Sequence, residues 1–252
     1  MAFQWKTALL GALGGAVLAI GIVFGAAALG YFPQREHFDG RQVRAYLLAH
    51  PQILLEVTAK LQDREQDDED SAEQARQAAV DKAGLKTFFD PNLAYVSGPA
   101  AARTTLVEFF DYNCVHCRNT FPVIKTFYEA HKGDARFAFI DFPIFGKMSD
   151  AAARAAVAAR RQPDKYIAFS FAMMGEKGAI DMDTLYRDAK AAGLDMPRLI
   201  ADMKDPATDK TLAAAHALAR RIGVSGTPTF IVDGKVHSGE IDAETLARMT
   251  KP

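Results

Sequence analysis

Cysteine is almost missing from this chain: two residues in 252, Cys114 and Cys117, three positions apart. A metal site of the usual kind would need a second Cys or His pair at ligand spacing, and the nearest further histidine, His131, stands alone on what reads as a helix surface. The absence of any stray thiol suits an oxidising compartment. An excess of one charge is also missing, since 30 Lys and Arg face 31 Asp and Glu for a formal net charge of −1. That balance gives no electrostatic pull toward nucleic acid or anionic lipid, so a partner has to be recognised by shape, apolar surface or reaction.

Charge is absent altogether from residues 7–32, which are rich in Leu, Ala, Ile, Val and Phe. About 20 apolar residues suffice to cross a bilayer. The run exceeds the roughly 7–15 apolar residues of a cleavable signal, which favours a retained anchor within residues 1–34 over a signal cut near Ala26-Ala27-Ala28. Trp5 before it and Tyr31-Phe32 after it fit interfacial aromatics. Only Lys6 and the α-amino group precede the run, while Arg35, Arg41 and Arg44 follow it. The positive-inside rule, read alone, would therefore leave the rest of the chain in the cytoplasm.

The two cysteines lie where a strand hands over to a helix. Residues 104–110 are β-branched, aromatic and apolar, and residues 119–131 carry apolar side chains at helical spacing. Unpaired N–H groups and the positive end of the helix dipole favour an anion there, so Cys114 is expected to be a solvent-facing thiolate and Cys117 the shielded partner. His116 between them adds positive charge. A redox-active pair is the favoured reading over a structural disulfide or half a metal site.

The run Val107-Glu108-Phe109-Phe110-Asp111-Tyr112-Asn113-Cys114-Val115-His116-Cys117-Arg118 resembles the active site of the DsbA-like thiol:disulfide oxidoreductases, within the thioredoxin fold. Glu108 matches that family's buried acidic residue, and Pro122 the proline of its active-site helix. Gly226-Thr227-Pro228-Thr229-Phe230 matches the loop whose cis-proline lies against the disulfide. The resemblance covers roughly residues 93–252, and Val115 departs from it, standing where relatives commonly have proline. It implies thiol–disulfide exchange in exported proteins with no cofactor and no bound metal. Cys114, Cys117, His116 and Glu108 would be catalytic; Thr227, Pro228, Tyr112 and Val115 would contact substrate. A membrane redox partner would reset the dithiol. Export, against the arginine count, follows from this resemblance and from the cysteine usage, and places the domain in the periplasm of a bacterial inner-membrane protein.

Between anchor and active site, Val43, Leu47, Leu54, Val57 and Leu61 form an apolar stripe, with three leucines at steps of seven as in a coiled-coil seam. Pro51 interrupts it, as the first residue of a second helix. Residues 63–71 are polar on every side and read as a solvated helix or a linker. The arrangement resembles the oligomerising segment of suppressor-of-copper-sensitivity-type isomerases, which implies a homo-oligomer, possibly a trimer. Fold class is thus α/β: a thioredoxin fold in residues 84–252 with a helical insertion at about 148–222, after a membrane helix (1–34) and a helical stalk (35–83). Ser149-Asp150 is expected to cap the first inserted helix and Asp205-Pro206 a later one. Met173, Met174 and Met182, at helical positions, read as core filler before they read as copper ligands.

Overall fold

The computed structural model describes residues 39–250. The anchor expected within residues 1–34 lies outside the described residues, and among those described no helix is long and apolar enough to cross a membrane. The chain divides into two compact units at Asp63 and Arg64.

The first unit begins with α1 (Gly40–Ala49), whose N-terminus is capped by Asp39 accepting the Arg41 N–H at 3.1 Å. The helix stops at His50-Pro51, since proline supplies no N–H to continue the ladder, and α2 (Gln52–Ala83) starts at the next residue. The leucine steps of seven therefore cross a helix break. Val43 and Leu47 belong to α1, and Leu54, Val57 and Leu61 to α2. Val43, Leu54, Val57 and Leu61 are 42–54% exposed, and Tyr46, Leu48 and Leu55 are more exposed still. No residue of α1 is buried.

The second unit starts inside α2. Residues 63–71 are helical and exposed throughout, as a solvated helix is. Beyond them Glu73, Arg76, Gln77 and Val80 turn inward at i, i+3, i+4 and i+7, the spacing of one helix face. Val80 is 2% exposed and packs with Phe88, Phe109 and Ile231. Before the boundary expected at residues 83–84, the last turns of α2 thus already place Val80 in this core.

A short 3-10 turn, Leu85–Phe89, leads to five strands. These are β1 (Tyr95–Ser97), β2 (Thr104–Phe110), β3 (Ala135–Asp141), β4 (Thr229–Val232) and β5 (Lys235–Ser238), in the order β1-β3-β2-β4-β5. Only β2 and β3 run parallel, joined by α3 (Val115–His131); the other neighbours are antiparallel. The β4–β5 turn at Asp233-Gly234 has φ of 48° and 84°, left-handed at both positions, as a two-residue hairpin requires. Gln77 closes the open edge of β5, donating to the Gly234 carbonyl and accepting from the Val236 N–H, each at 2.8 Å.

Side chains alternate across β2 with the period of two that strands impose. Leu106 and Phe110 face α3 and the helical insertion, in one core with Phe137, Phe139 and Phe230. Val107 and Phe109 face the other way, against Ala215, Leu218 and the end of α2. Glu108 shares the face of Leu106 and Phe110, which brings a carboxyl group to the α3 side of the sheet.

Five helices separate β3 from β4: α4 (Lys147–Ala159), α5 (Pro163–Met174), α6 (Met182–Ala191), α7 (Met196–Met203) and α8 (Pro206–Arg221). The first starts two residues before the expected cap. Ser149 is buried inside it with its hydroxyl unpaired, so it does not cap. Asp205 caps α8, with Pro206 in its first turn, as its sequence signature indicated. Met173 and Met174 are buried core residues, and no cluster of His, Cys, Asp and Glu suited to a metal occurs among the described residues. The last helix, α9 (Ala243–Met249), is capped by Asp242.

Candidate active site

Cys114 ends the turn Asp111-Tyr112-Asn113 and is the N-cap of α3, in extended backbone geometry. Cys117, in the first turn of that helix, points inward with Thr120, Ile124 and Tyr128. Both thiols are free and each residue is 1% exposed. The solvent-facing Cys114 expected from sequence is thus corrected. Its sulfur lies 3.2 Å from the Thr227 carbonyl, so the loop carrying the cis Thr227–Pro228 bond covers it. Val115, the next residue, is 60% exposed and marks the outer rim of the site.

The environment drives the two thiols apart. Cys114 is held at about 5, against an ordinary 9.0, by a hydrogen bond from the Cys117 thiol first, then by the Thr227 side chain and the N–H groups of Cys117 and His116, while burial opposes the shift. Cys117 is pushed far up by burial, then by giving its hydrogen bond to Cys114 and by the nearby Glu108 charge. The Thr227 hydroxyl is buried with no other partner. When protonated, Cys114 donates to the Thr227 carbonyl; when ionised, it accepts from that spare hydroxyl.

Glu108 is 6% exposed. Its carboxyl is raised from 4.5 to about 8, first by burial and then by the negative charge of Cys114. A cavity of about 10 Å³, near the least that holds one water, lies against it, lined by Phe110, Phe121, Ser170 and Met174 among others. A carboxyl held near neutral pH and coupled to a buried thiol can populate both its forms, which is what taking up and returning a proton requires.

His116 is held by Glu240. Its ring is exposed and its Nδ1 sits 2.7 Å from Oε1 of Glu240, which also accepts from the Asn119 amide at 2.8 Å. Glu240 raises the His116 pKa, with the Cys114 charge a lesser cause. Toward the sulfur this residue contributes its backbone N–H, and its ring, paired with Glu240, still couples to the Cys114 charge. Tyr112 also needs correcting. It is 1% exposed, with its hydroxyl 2.8 Å from Ser170 on α5, so it fixes the insertion to the active-site turn and cannot contact substrate. The Thr227 carbonyl stands beside the sulfur, and Thr227 and Pro228 line an open groove of about 540 Å³ whose other walls include Glu69, Arg76, Ser225 and His237, within the size range of ligand clefts.

Glu240, Ser170 and the Thr227 hydroxyl were not legible in sequence. Glu240 lies 124 residues from His116, and no local pattern announces that pairing.

The family model described as thioredoxin matches residues 92–251. The chain belongs to the thioredoxin family. A second model, for the N-terminal domain of the copper resistance protein ScsC, matches residues 40–67. A thioredoxin-like oxidoreductase from Silicibacter pomeroyi is 39% identical, covering 64% of this chain and 92% of its own, at a TM-score of 0.59. The thiol-disulfide exchange protein alpha-DsbA2 of Wolbachia pipientis is 26% identical over 71% and 96% of the two chains, at 0.64. A periplasmic thioredoxin-like protein from Salmonella enterica serovar Typhimurium is 26% identical over 64% and 89%, at 0.58. Among curated proteins, the Na(+)/H(+) antiporter NhaA of Herminiimonas arsenicoxydans is 32% identical over 163 residues, 64% of this chain but 26% of the antiporter. The chain spans about a quarter of the length of the curated relatives it matches. In this thioredoxin-family chain, Cys114 and Cys117 are a free thiol pair at the start of α3, beneath the loop that carries the cis Thr227–Pro228 bond.

Proposed function

We propose that this protein exchanges disulfides in exported client proteins, with Cys114 as the attacking sulfur and Cys117 as the resolving one. The observation that carries the reading is the opposed ionisation of two adjacent thiols, about 5 for Cys114 and far above 9.0 for Cys117. In the reducing direction the Cys114 thiolate attacks a client disulfide. One client sulfur leaves as thiolate and takes up a proton, and a mixed disulfide remains. The charge on Cys114 is then gone, and with it the second cause of the raised Glu108 pKa. Glu108 then gives up its own proton to solvent more readily, and the carboxylate so formed accepts the Cys117 proton. Cys117 attacks Cys114, the client leaves as a dithiol, and the protein holds the Cys114–Cys117 disulfide. Oxidation of a client dithiol is the same sequence reversed. Thr227, Pro228 and Val115 would position the client strand beside the sulfurs.

A stabilised thiolate makes the reduced protein the favoured form and its disulfide a strong oxidant. That observation supports a monomeric oxidase as the second reading. The favoured one is an isomerase, in which Val43, Leu47, Leu54, Val57 and Leu61 pair between copies and several Cys114 sites face one client; a trimer is the assembly the resemblance implies. The exposed stripe supports it, as does the match of residues 40–67 to a ScsC N-terminal domain. Residues 1–34 would anchor the protein in the bacterial inner membrane with the catalytic domain in the periplasm, where a membrane redox partner resets the dithiol. Insulin reduction and refolding of a scrambled disulfide protein by residues 35–252 test the activity; equal rates in wild type and Cys114→Ser would end the reading. An alkaline phosphatase reporter fused beyond Tyr46 tests topology, because an inactive fusion would place the domain in the cytoplasm.

A further inference from the structure

Each of the three residues preceding Cys114 is tied to a different part of the helical insertion. Asp111 is 2% exposed. Its Oδ2 accepts the N–H groups of Ile144 at 2.7 Å and Phe145 at 3.2 Å, immediately before α4, while Oδ1 accepts the Asn113 N–H at 2.8 Å. Tyr112 reaches Ser170 on α5. Asn113 Oδ1 accepts the Ile180 N–H at 2.7 Å, just before α6, and an Arg118 guanidinium N–H at 3.2 Å. Arg118 also grips the Tyr112 carbonyl, at 2.9 and 2.7 Å. Only a carboxylate accepts on both oxygens, so an amide at position 111 must abandon one set of these partners.

The mechanism gives these ties a task. Of the groups that stabilise the Cys114 sulfur, the Cys117 thiol and the N–H groups of His116 and Cys117 are carried by α3, and the Thr227 side chain comes from the loop before β4. The sulfur itself is placed by the turn. Hydrogen bonds weaken steeply once distance and angle drift, so the thiolate depends on register between turn and helix. The turn is fixed from two sides, by Arg118 of α3 itself and by Ile144, Phe145, Ser170 and Ile180 in the insertion and the segment leading into it.

We propose that Asp111 and Asn113 are positioning residues through which the helical insertion holds the Cys114 thiolate in register with the N–H groups that open α3. The inference rests on the reading of Cys114 as the attacking thiolate. It makes the insertion a determinant of sulfur reactivity as well as a cover for the sheet.

The test is an absorbance titration of the thiolate at 240 nm, repeated as the pH dependence of iodoacetamide alkylation, in wild type, Asn113→Ala and Asp111→Asn. A control, Thr208→Ala, removes a buried hydroxyl that donates to the Asp202 carbonyl at 2.7 Å, elsewhere in the insertion. Both turn variants should raise the Cys114 midpoint by about one pH unit, a tenfold loss of thiolate at pH below it. The control should lose stability and keep the wild-type midpoint. A wild-type midpoint in turn variants that still unfold cooperatively overturns the inference, and so does a control that shifts equally. A wild type that itself titrates near the ordinary thiol value instead removes the functional reading beneath it.

Discussion

Glu108 offers a prediction whose size follows from its burial. The unfolded chain releases this proton near 4.5 and the native reduced protein keeps it to about 8. Between those values the native state binds more protons than the unfolded one, so stability falls as pH rises, by about 1.4 kcal/mol per pH unit. The contribution is whole below 4.5 and is lost as pH passes 8, for a total of about 4–5 kcal/mol. Glu108→Gln keeps the shape and does not titrate. Relative to wild type it should show a stability difference that grows from pH 4 to pH 8 by about that amount, in favour of the variant. Urea denaturation of both reduced proteins, followed by circular dichroism at pH 4, 6 and 8, measures it. Because the Cys114 charge is the second cause of the shift, the gain should shrink in a Cys114→Ser background. The variant should also still form the mixed disulfide but release client slowly, lacking an acceptor for the Cys117 proton. A stability difference constant across the three pH values would refute the raised pKa and the shuttle built on it.

Tyr112→Phe should cost about 1–3 kcal/mol by leaving the Ser170 hydroxyl unpaired and leave the KM for insulin unchanged, which checks that Tyr112 is structural. His116→Ala should leave the Cys114 midpoint far below the free-thiol value of about 8.5, and Glu240→Gln should lower the His116 midpoint seen by NMR. Each stripe leucine buried between copies would contribute roughly 1.5–3 kcal/mol. Leu54→Asp with Leu61→Asp should therefore convert an oligomer of residues 35–252 to a monomer by light scattering, with isomerase activity lost and simple thiol oxidation kept; an unmutated chain that already runs as a monomer would contradict the stalk.

The parts of this fold that local chemistry dictates could be read from sequence: the alternating strand 104–110, the helix after Cys114, the Asp233-Gly234 hairpin and the Asp205-Pro206 cap. Glu108 was legible only through the resemblance, as the match to that family's buried acidic residue; the strand then places it on the side of Leu106 and Phe110. What escaped depends on residues far apart in the chain. Tyr112 looks like a rim residue beside a catalytic cysteine until Ser170, 58 positions on, is brought against it. His116 looks like the main source of thiolate stabilisation until Glu240 is brought against its ring and the Cys117 thiol stands as the largest cause. The end of α2 looks like stalk because its inward face, Glu73, Arg76, Gln77 and Val80, is mostly polar and only Val80 becomes core. Cys114 looks exposed because a helix N-terminus generally is, and the Thr227–Pro228 loop that covers it comes more than a hundred residues later.

The central claim is that Cys114 attacks and Cys117 resolves. Its most direct test is to trap the mixed disulfide. Cys117→Ser, reduced and mixed with a disulfide-containing client at neutral pH, should accumulate a covalent adduct on a non-reducing gel that dithiothreitol dissolves, while Cys114→Ser should give none. An adduct formed by Cys114→Ser through Cys117, or equal adducts from both variants, would contradict the assignment.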